Sequence, residues 1–413
     1  MTDREMLLVA IREHPEEDTP RLAFADYLQE RGNAYFEDWA TLIRTQIEAT
    51  KVERHSARWF ELAQQQAELF EKRKLDWDPY SGSGLGCAAY RRGFREAIPF
   101  DCDAPNFSRH FDLAFAGNPL RAVRLNWNRK SGMREIFQGI ARHPGMARVE
   151  TLDVGNTPPK AARRLLNLAA RHMPRLRALG LSDLNLTATT AADLLVSLSI
   201  PGLAALDLSN NRLLSSERPE SLFHSPTLAN VRWLDLEGCG LPVAAVESLA
   251  HSPVIRGLRY LNVGGQYSAT EGVFGTDGAA ALAEGPAMRG LEFLRLSYQR
   301  IGSFGLEMLL RSPVLATVRE LDLSNNDIGD DGAISLAACP HVARLRKLNL
   351  QGNAIGRDGT EALLASPYLT SLRILILDVR GDQLDLTAQL RERFQSVPHI
   401  ASVQGATFFE PIP

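Results

Sequence analysis

The side chains best suited to chemistry in this sequence are aromatic, and they recur at long intervals: Trp233, Tyr260 and Phe293. Arg295 and Tyr298 follow the last of them, Tyr267 lies between, and Asp235 and Asn262 stand two residues after Trp233 and Tyr260. Aromatic rings and arginine dominate the energetics of protein–protein contacts. The set therefore points to recognition of another macromolecule. Covalent chemistry has weaker material. Cys87, Cys102, Cys239 and Cys339 are scattered without C-x-x-C spacing. Cys87 is the best placed to be a reactive thiol, and no histidine near it could activate it. His143, His172, His224, His251 and His341 stand mostly beside prolines, where an imidazole can satisfy the free carbonyls of a helix end. No P-loop, H-E-x-x-H, G-x-S-x-G or dinucleotide fingerprint occurs, and GGQYSATEG (264–272) lacks a phosphate-binding lysine. The sequence thus implies no catalytic residue, cofactor or metal.

What positions those rings is a repeat. LAALDLSNN (203–211), VRWLDLEGC (231–239), VRELDLSNN (318–326) and LRKLNLQGN (345–353) share one pattern, L-x-x-L-x-L-x-x-N/C. Looser copies start at Leu120, Val149, Leu176, Leu258, Leu291 and Leu372, so ten starts can be placed. Within one copy Leu206 and Leu208 point into a core and Asp207 points out, as strand alternation requires. Asn211, Asn326 and Asn353 stand where the chain leaves the strand; an amide there can bond backbone groups of adjacent copies. Cys239 fills the same slot. Ile328-Gly329-Asp330-Asp331-Gly332, Ile355-Gly356-Arg357-Asp358-Gly359 and Phe274-Gly275-Thr276-Asp277-Gly278 follow, with glycines for tight turns and an acid for a helix start. Helical spacing comes next, and Pro226, Pro253, Pro286, Pro313, Pro340 and Pro367 stop the helices.

This unit resembles the leucine-rich repeat of ribonuclease-inhibitor type, over roughly residues 120–380. The resemblance implies an α/β leucine-rich-repeat solenoid: a horseshoe with a parallel sheet on the concave face and helices on the convex face. Aligned in that frame, the third positions read Ala122, Thr151, Ala178, Ala205, Trp233, Tyr260, Phe293, Glu320, Lys347 and Ile374. Three rings fall on consecutive strands roughly 4.8 Å apart, which predicts an exposed aromatic row, since the x positions of the motif face the concavity. Leu258 to Leu291 spans 33 residues where Leu345 to Leu372 spans 27. The extra residues lie between Gln266 and Phe274, and insertions of this kind map to loops on one face, often the binding face. A second reading has the rings only packing on each other. The fifth positions are mostly acidic or amide, including Asp153, Asp207, Asp235, Asn262, Asp322 and Asn349, either as ordinary solvation or as a complement to basic groups on a partner.

Ahead of the repeats, residues 1–33 read as two helices, with Asp18-Thr19-Pro20 starting the second. PRLAFADYLQERGN and TLIRTQ resemble the small bacterial repeat-companion domain, over about the first 50 residues. Arg21, Asp26, Tyr27 and Arg31 read there as a helix-pair ion network with a core aromatic, or alternatively as a docking surface. A helix is predicted within 55–77, a loop at SGSGLG (81–86), and a strand starting at RRGF (91–94). The predicted organisation is a mainly helical companion domain at 1–80, linker and N-terminal cap at 81–118, about ten repeats at 119–380, and a C-terminal cap at 381–413.

A chain of 413 residues with 45% apolar and 23% charged residues is an ordinary folded protein, so disorder is not the default. A net charge of −3 argues against nucleic-acid binding, though Arg91, Arg92 and Arg95 form the one local basic group that could carry it. No basic-then-apolar leader and no 18-residue apolar run stands out, and with scattered cysteines a reducing cytoplasm is the expected setting. The sequence therefore predicts a monomeric, non-catalytic scaffold or inhibitor that holds an unidentified protein partner, with no nucleic acid and no membrane. The alternative is a modifying enzyme. Some bacterial leucine-rich-repeat proteins are ubiquitin ligases with a separate cysteine domain, and Cys102 or Cys87 in the N-terminal segment would be the candidate nucleophile, with the repeats selecting substrate.

Overall fold

The computed structural model describes residues 2–73, 89–101, 107–126, 140, 143–213, 218–266, 272–378 and 381–394. They form two compact units, one running to Leu176 and the other starting at Arg177.

The first unit opens with four helices: α1 (Asp3–Glu13), α2 (Asp18–Gln29), α3 (Ala34–Ala49) and α4 (Ala57–Lys72). Their starts are set by side-chain caps. The Thr2 hydroxyl accepts from Glu5 N while Glu5 returns the bond to Thr2 N, and Asn33 and Ser56 cap α3 and α4. Ile11, Phe24, Ala25, Leu28, Ile43 and Ile47 form the core between them. A hairpin follows, β1 (Ala89–Arg91) and β2 (Phe94–Asp101), and Phe94 plugs into that core. The strand expected from RRGF starts at Phe94, its last residue, while Arg92 and Gly93, both at positive φ, are the two-residue turn between strands. Such a turn needs φ > 0 at both positions, and a Cβ on Gly93 would collide with Ile43. Next come α5 (Phe107–Gly117), β3 (Ala122–Asn126), β4 (Thr151–Asp153) and α6 (Pro159–His172), with β2, β3 and β4 paired parallel in that order.

The second unit is a stack of coils, each with a three-residue strand: β5 (Ala178–Gly180), β6 (Ala205–Asp207), β7 (Trp233–Asp235), β8 (Tyr260–Asn262), β9 (Phe293–Arg295), β10 (Glu320–Asp322), β11 (Lys347–Asn349) and β12 (Ile374–Ile376). Helices α7 (Ala188–Leu198), α8 (Glu220–Phe223), α9 (Val243–Ala250), α10 (Gly275–Glu284), α11 (Gly302–Arg311), α12 (Asp330–Ala337) and α13 (Arg357–Ala365) connect them, and α14 (Thr387–Arg393) closes the described chain. Neighbouring strands are parallel and in register, pairing Ala178 with Ala205, Ala205 with Trp233, Trp233 with Tyr260, Tyr260 with Phe293 and Phe293 with Glu320. The repeat alignment is thus also the strand register. Leu206, Leu208, Leu261, Leu296 and Leu323 are fully buried, the continuous core of a solenoid.

Asparagine holds adjacent coils together. Asn211 Oδ1 accepts from Leu184 N and Leu186 N of the preceding coil, and its Nδ2 donates to Leu181 O and Leu208 O. Asn326 and Asn353 repeat the arrangement. Cys239 Sγ donates to Leu208 O at 3.0 Å in the same slot. Burial pushes this thiol well above the ordinary range, which accounts for the cysteine as packing. The predicted proline stops are starts as well: Pro226, Pro286, Pro313 and Pro340 each open a short 3-10 turn. The serine before a proline adds a tie the sequence reading missed. Ser252 Oγ donates to Phe223 O and Ser366 Oγ to Ala337 O, each at 2.6 Å and each one coil back. Among the described residues no helix is long and apolar enough to cross a membrane.

Candidate protein-binding surface

The open face of the sheet in the second unit presents the third and fifth positions of each coil. Trp233 and Tyr260 stack with ring centres 4.5 Å apart and planes 10° from parallel. Tyr260 and Phe293 are 6.3 Å apart and tilted by 38°. The predicted row of rings therefore exists, but it is not bare. Trp233 is 7% exposed and Tyr260 3%, and they form one cluster with Ala205 and Ala178, against which Phe293 packs. The reason is register. Rings on adjacent strands stand at stacking distance, and the alanines of the two preceding coils leave them room. The expectation of an exposed aromatic patch is corrected accordingly: Trp233 and Tyr260 are buried and Phe293 is half-buried.

The polar partners sit around this stack. Tyr260 OH donates to Asp235 Oδ2 at 3.3 Å, and Asn262 Nδ2 donates to the same oxygen at 3.1 Å and to Glu237 Oε2 at 2.9 Å. Asp235 Oδ1 accepts from Glu237 N. Asp207, Asn262 and Asp322 make the same short bond to the N–H two residues on, so the polar fifth column first of all shapes the turn after each strand. Burial, together with the negative charges of Asp207 and Glu237, pushes Asp235 up to about 7. Burial and the adjacent Asp235 raise Tyr260 further above its ordinary value. Arg295 lies with its guanidinium 5.8 Å from the Tyr260 ring centre. Burial opposes its charge, yet Tyr260, Asp322 and Asp235 more than offset this and hold its pKa up.

Beyond the stack the face dips. A depression of about 400 Å³, including its open mouth, is lined by Tyr260, Phe293, Arg295, Glu320, Asp322 and Lys347 among others. Of the residues picked from sequence, Trp233, Asp235, Tyr260, Asn262, Phe293 and Arg295 come together on this face. Tyr298 does not join the row. It is half-buried on the turn after β9, in the left-handed region, beside Gly265. Tyr267, Cys87 and Cys102 lie outside the described residues. Glu237 carries no sequence signal of its own; Glu320, Lys347 and Asp322 stand in the two aligned columns without belonging to the residues picked for the site, and the structure adds them to it.

The remaining chemical candidates resolve into structure. Arg91 faces Glu16 and Glu96, Arg92 faces Glu16 and Asp18, and Arg95 bonds Tyr90 OH, so two of these three arginines are matched by carboxylates and the third meets a phenol. His251 and His341 bond backbone carbonyls, and His143 Nδ1 accepts from Gly145 N. Cys339 is buried with its thiol on Leu310 O. Among the described residues no three His, Cys, Asp or Glu side chains are placed to hold a metal.

A three-residue strand, an asparagine or cysteine turn, a helix and a proline turn, stacked in register, define the fold as a leucine-rich-repeat solenoid. A leucine-rich-repeat family model matches residues 314–337 and 344–364, the coils of β10 and β11. No curated protein matches the chain. Among solved structures, a chain of the yeast Rad7–Elc1 complex is similar over 67% of this chain and 67% of its own, at 18% identity and a TM-score of 0.48. The leucine-rich-repeat-containing protein LegL7 of Legionella pneumophila is similar over 73% and 99%, at 15% identity and 0.47. A Bacteroides fragilis protein is similar over 78% and 84%, at 16% identity and 0.37.

Proposed function

We propose that this protein is a non-catalytic scaffold that holds a protein partner on the open strand face of its second unit, across β8 to β11. The observation that carries this reading is the depression beside the ring stack. It is lined by the half-buried Phe293, which packs against Tyr260, and by side chains of both signs of charge, Arg295 and Lys347 beside Glu320 and Asp322. An apolar anchor point inside a polar rim is the anatomy of a protein interface. The buried Trp233–Tyr260 pair serves as a rigid backing for Phe293 and makes little contact of its own.

On this reading the repeats are of ribonuclease-inhibitor type, since a 27-residue unit carries a full helix, and the first 50 residues act as a companion domain. Cys239 and Cys339 are free, which suits a monomer in the reducing cytoplasm. The test is a photo-crosslinking amino acid placed in turn at Phe293, at Lys347 and at Phe304, the last being 62% exposed on helix α11. Partner adducts are expected from 293 and 347 and not from 304. Adducts from 304 alone would overturn the assignment of the face.

A further inference from the structure

The residue just ahead of each strand in the second unit forms a row of its own: Arg177, Ala204, Arg232, Arg259, Glu292, Arg319, Arg346 and Arg373. The backbone fixes this row. Each N–H donates to the carbonyl of the same position one coil earlier, from Ala204 N on Arg177 O to Arg373 N on Arg346 O, at 2.7–2.8 Å throughout. The Cα atoms are therefore spaced like strands, roughly 4.8 Å apart. Six arginines and one glutamate occupy the eight places. Glu292 is held between Arg259 at 3.1 Å and Arg319 at 3.6 Å. Arg232 reaches onto the next coil, donating to Arg256 O at 2.8 Å on the turn ahead of β8. A second tier stands on the turns just upstream of the strands, where Arg175, Arg256, Arg289 and Arg344 are exposed. From the proline of each turn to the row position, Glu292 is the only acid in all eight coils. The other end of the same strands carries Asp207, Asp235 and Asp322. A net charge of −3 for the whole chain thus conceals a sheet that is basic along one edge and acidic along the other.

We propose that this arginine row is a docking rail for an extended acidic polypeptide segment, one rich in aspartate and glutamate. The proposal rests on the strand face being the docking face, and it supplies the chemistry of the partner. Guanidinium groups pair carboxylates through two parallel N–H···O bonds, and a linear set of them suits a linear set of carboxylates. Nucleic acid fits less well for two reasons. Single strands need rings to stack on, and Trp233 and Tyr260 spend their faces on each other. A duplex, whose major groove alone is about 12 Å wide, would overlie the acidic column only three residues, roughly 10 Å, along the strands. An extended peptide follows the rail without crossing to that column.

The experiment uses the full chain and two probes, a fluorescein-labelled peptide of alternating Glu and Asp and a labelled single-stranded DNA of equal charge. Binding is read by anisotropy at low and then physiological salt. The variants are Arg259→Glu/Arg319→Glu/Arg346→Glu on the rail, its milder Arg→Gln counterpart, and Lys160→Glu/Arg163→Glu/Arg171→Glu on α6 as a matched control. Thermal melts identify any variant that fails to fold, in which case the Gln set decides. The wild type is expected to bind the peptide, the rail variants to lose at least tenfold, and the α6 variant to lose less than twofold. Absence of peptide binding, equal losses from rail and α6, or tighter binding of DNA than of peptide would each overturn the proposal. Phe293 crosslinks unchanged in the rail variants would sink the rail and leave the docking face standing. Peptide binding through the rail with no crosslinks at 293 would do the reverse.

Discussion

Arginine does opposite work in the two units. In the first, Arg21, Arg121 and Arg124 are each matched by carboxylates. Arg21 has no exposed surface and donates to Glu96 Oε1 at 2.7 Å and to Pro15 O at 2.8 Å, and its other nitrogen reaches the carbonyls of Arg91 and Arg92. Arg121 meets Glu16 and Glu150, and Arg124 meets Asp153 at 2.6 Å. In the second unit the arginines of the row before the strands outnumber the acids, and most are exposed. Charge counted along the chain cannot separate these cases. What separates them is where the backbone puts the carboxylates: beside the guanidinium in the hairpin–helix unit and, Glu292 apart, at the far end of the strand in the coil stack.

The comparison breaks most easily at Arg21. Burial pushes Arg21 down and Glu96 up, while their mutual attraction works the other way. Removing one partner strands the other in the interior. Arg21→Leu is expected to destabilise the first unit by about 3–5 kcal/mol, whereas Arg319→Ala on the row should change stability by less than about 0.5 kcal/mol. Amide hydrogen exchange in α2 and β2 measures the first and in β10 the second. A loss at Arg21 no larger than that at Arg319 would mean that the two populations of arginine are not different in kind.

Next in size is the ring stack. If Trp233 were an exposed hot spot, Trp233→Ala would leave the melting temperature alone. Buried as it is against Tyr260 and Ala205, it is expected to cost about 2–3 kcal/mol, toward the lower end of large-to-small losses because the ring lies on the open face of the sheet. Urea unfolding monitored on the second unit, with near-ultraviolet circular dichroism for the lost stacking, checks it.

These two residues also mark what could be read in the sequence and what could not. The columns, their register, the asparagine slot and its cysteine substitute follow from spacing alone, because one bond pattern recurs in every coil. The burial of Trp233 did not follow, since it depends on the sizes of neighbours 28 and 55 residues earlier, Ala205 and Ala178. Arg21 was read within a helix-pair network, and that held for Arg44 on Asp26 and for Arg31 over the Tyr27 ring. Its own partner Glu96 lies 75 residues away, on a hairpin whose turn looked like the start of a strand. The arginine row is a further column of the same alignment, one place before the third positions, and its meaning depends on the backbone bonds that line its members up.

The smallest expected effect is one of pH, at the acidic edge that opposes the arginine row. Asp235 is pushed up to about 7 by burial first and by Asp207 and Glu237 after it. An acid whose pKa is higher folded than unfolded favours the folded state while protonated. Its ionisation is a cost that grows as pH rises from about 4 to about 7 and is complete above that. Asp235→Asn removes the cost and keeps an oxygen to accept from Glu237 N. The variant should melt a few degrees above the wild type at pH 8, a difference of roughly 1–2 kcal/mol in a domain of this size. At pH 5, where the wild-type carboxyl is itself protonated, the two should nearly coincide. Parallel melting curves for Asp235→Asn and wild type from pH 5 to 8 would show that solvent, and not the neighbouring carboxylates, governs this edge of the sheet.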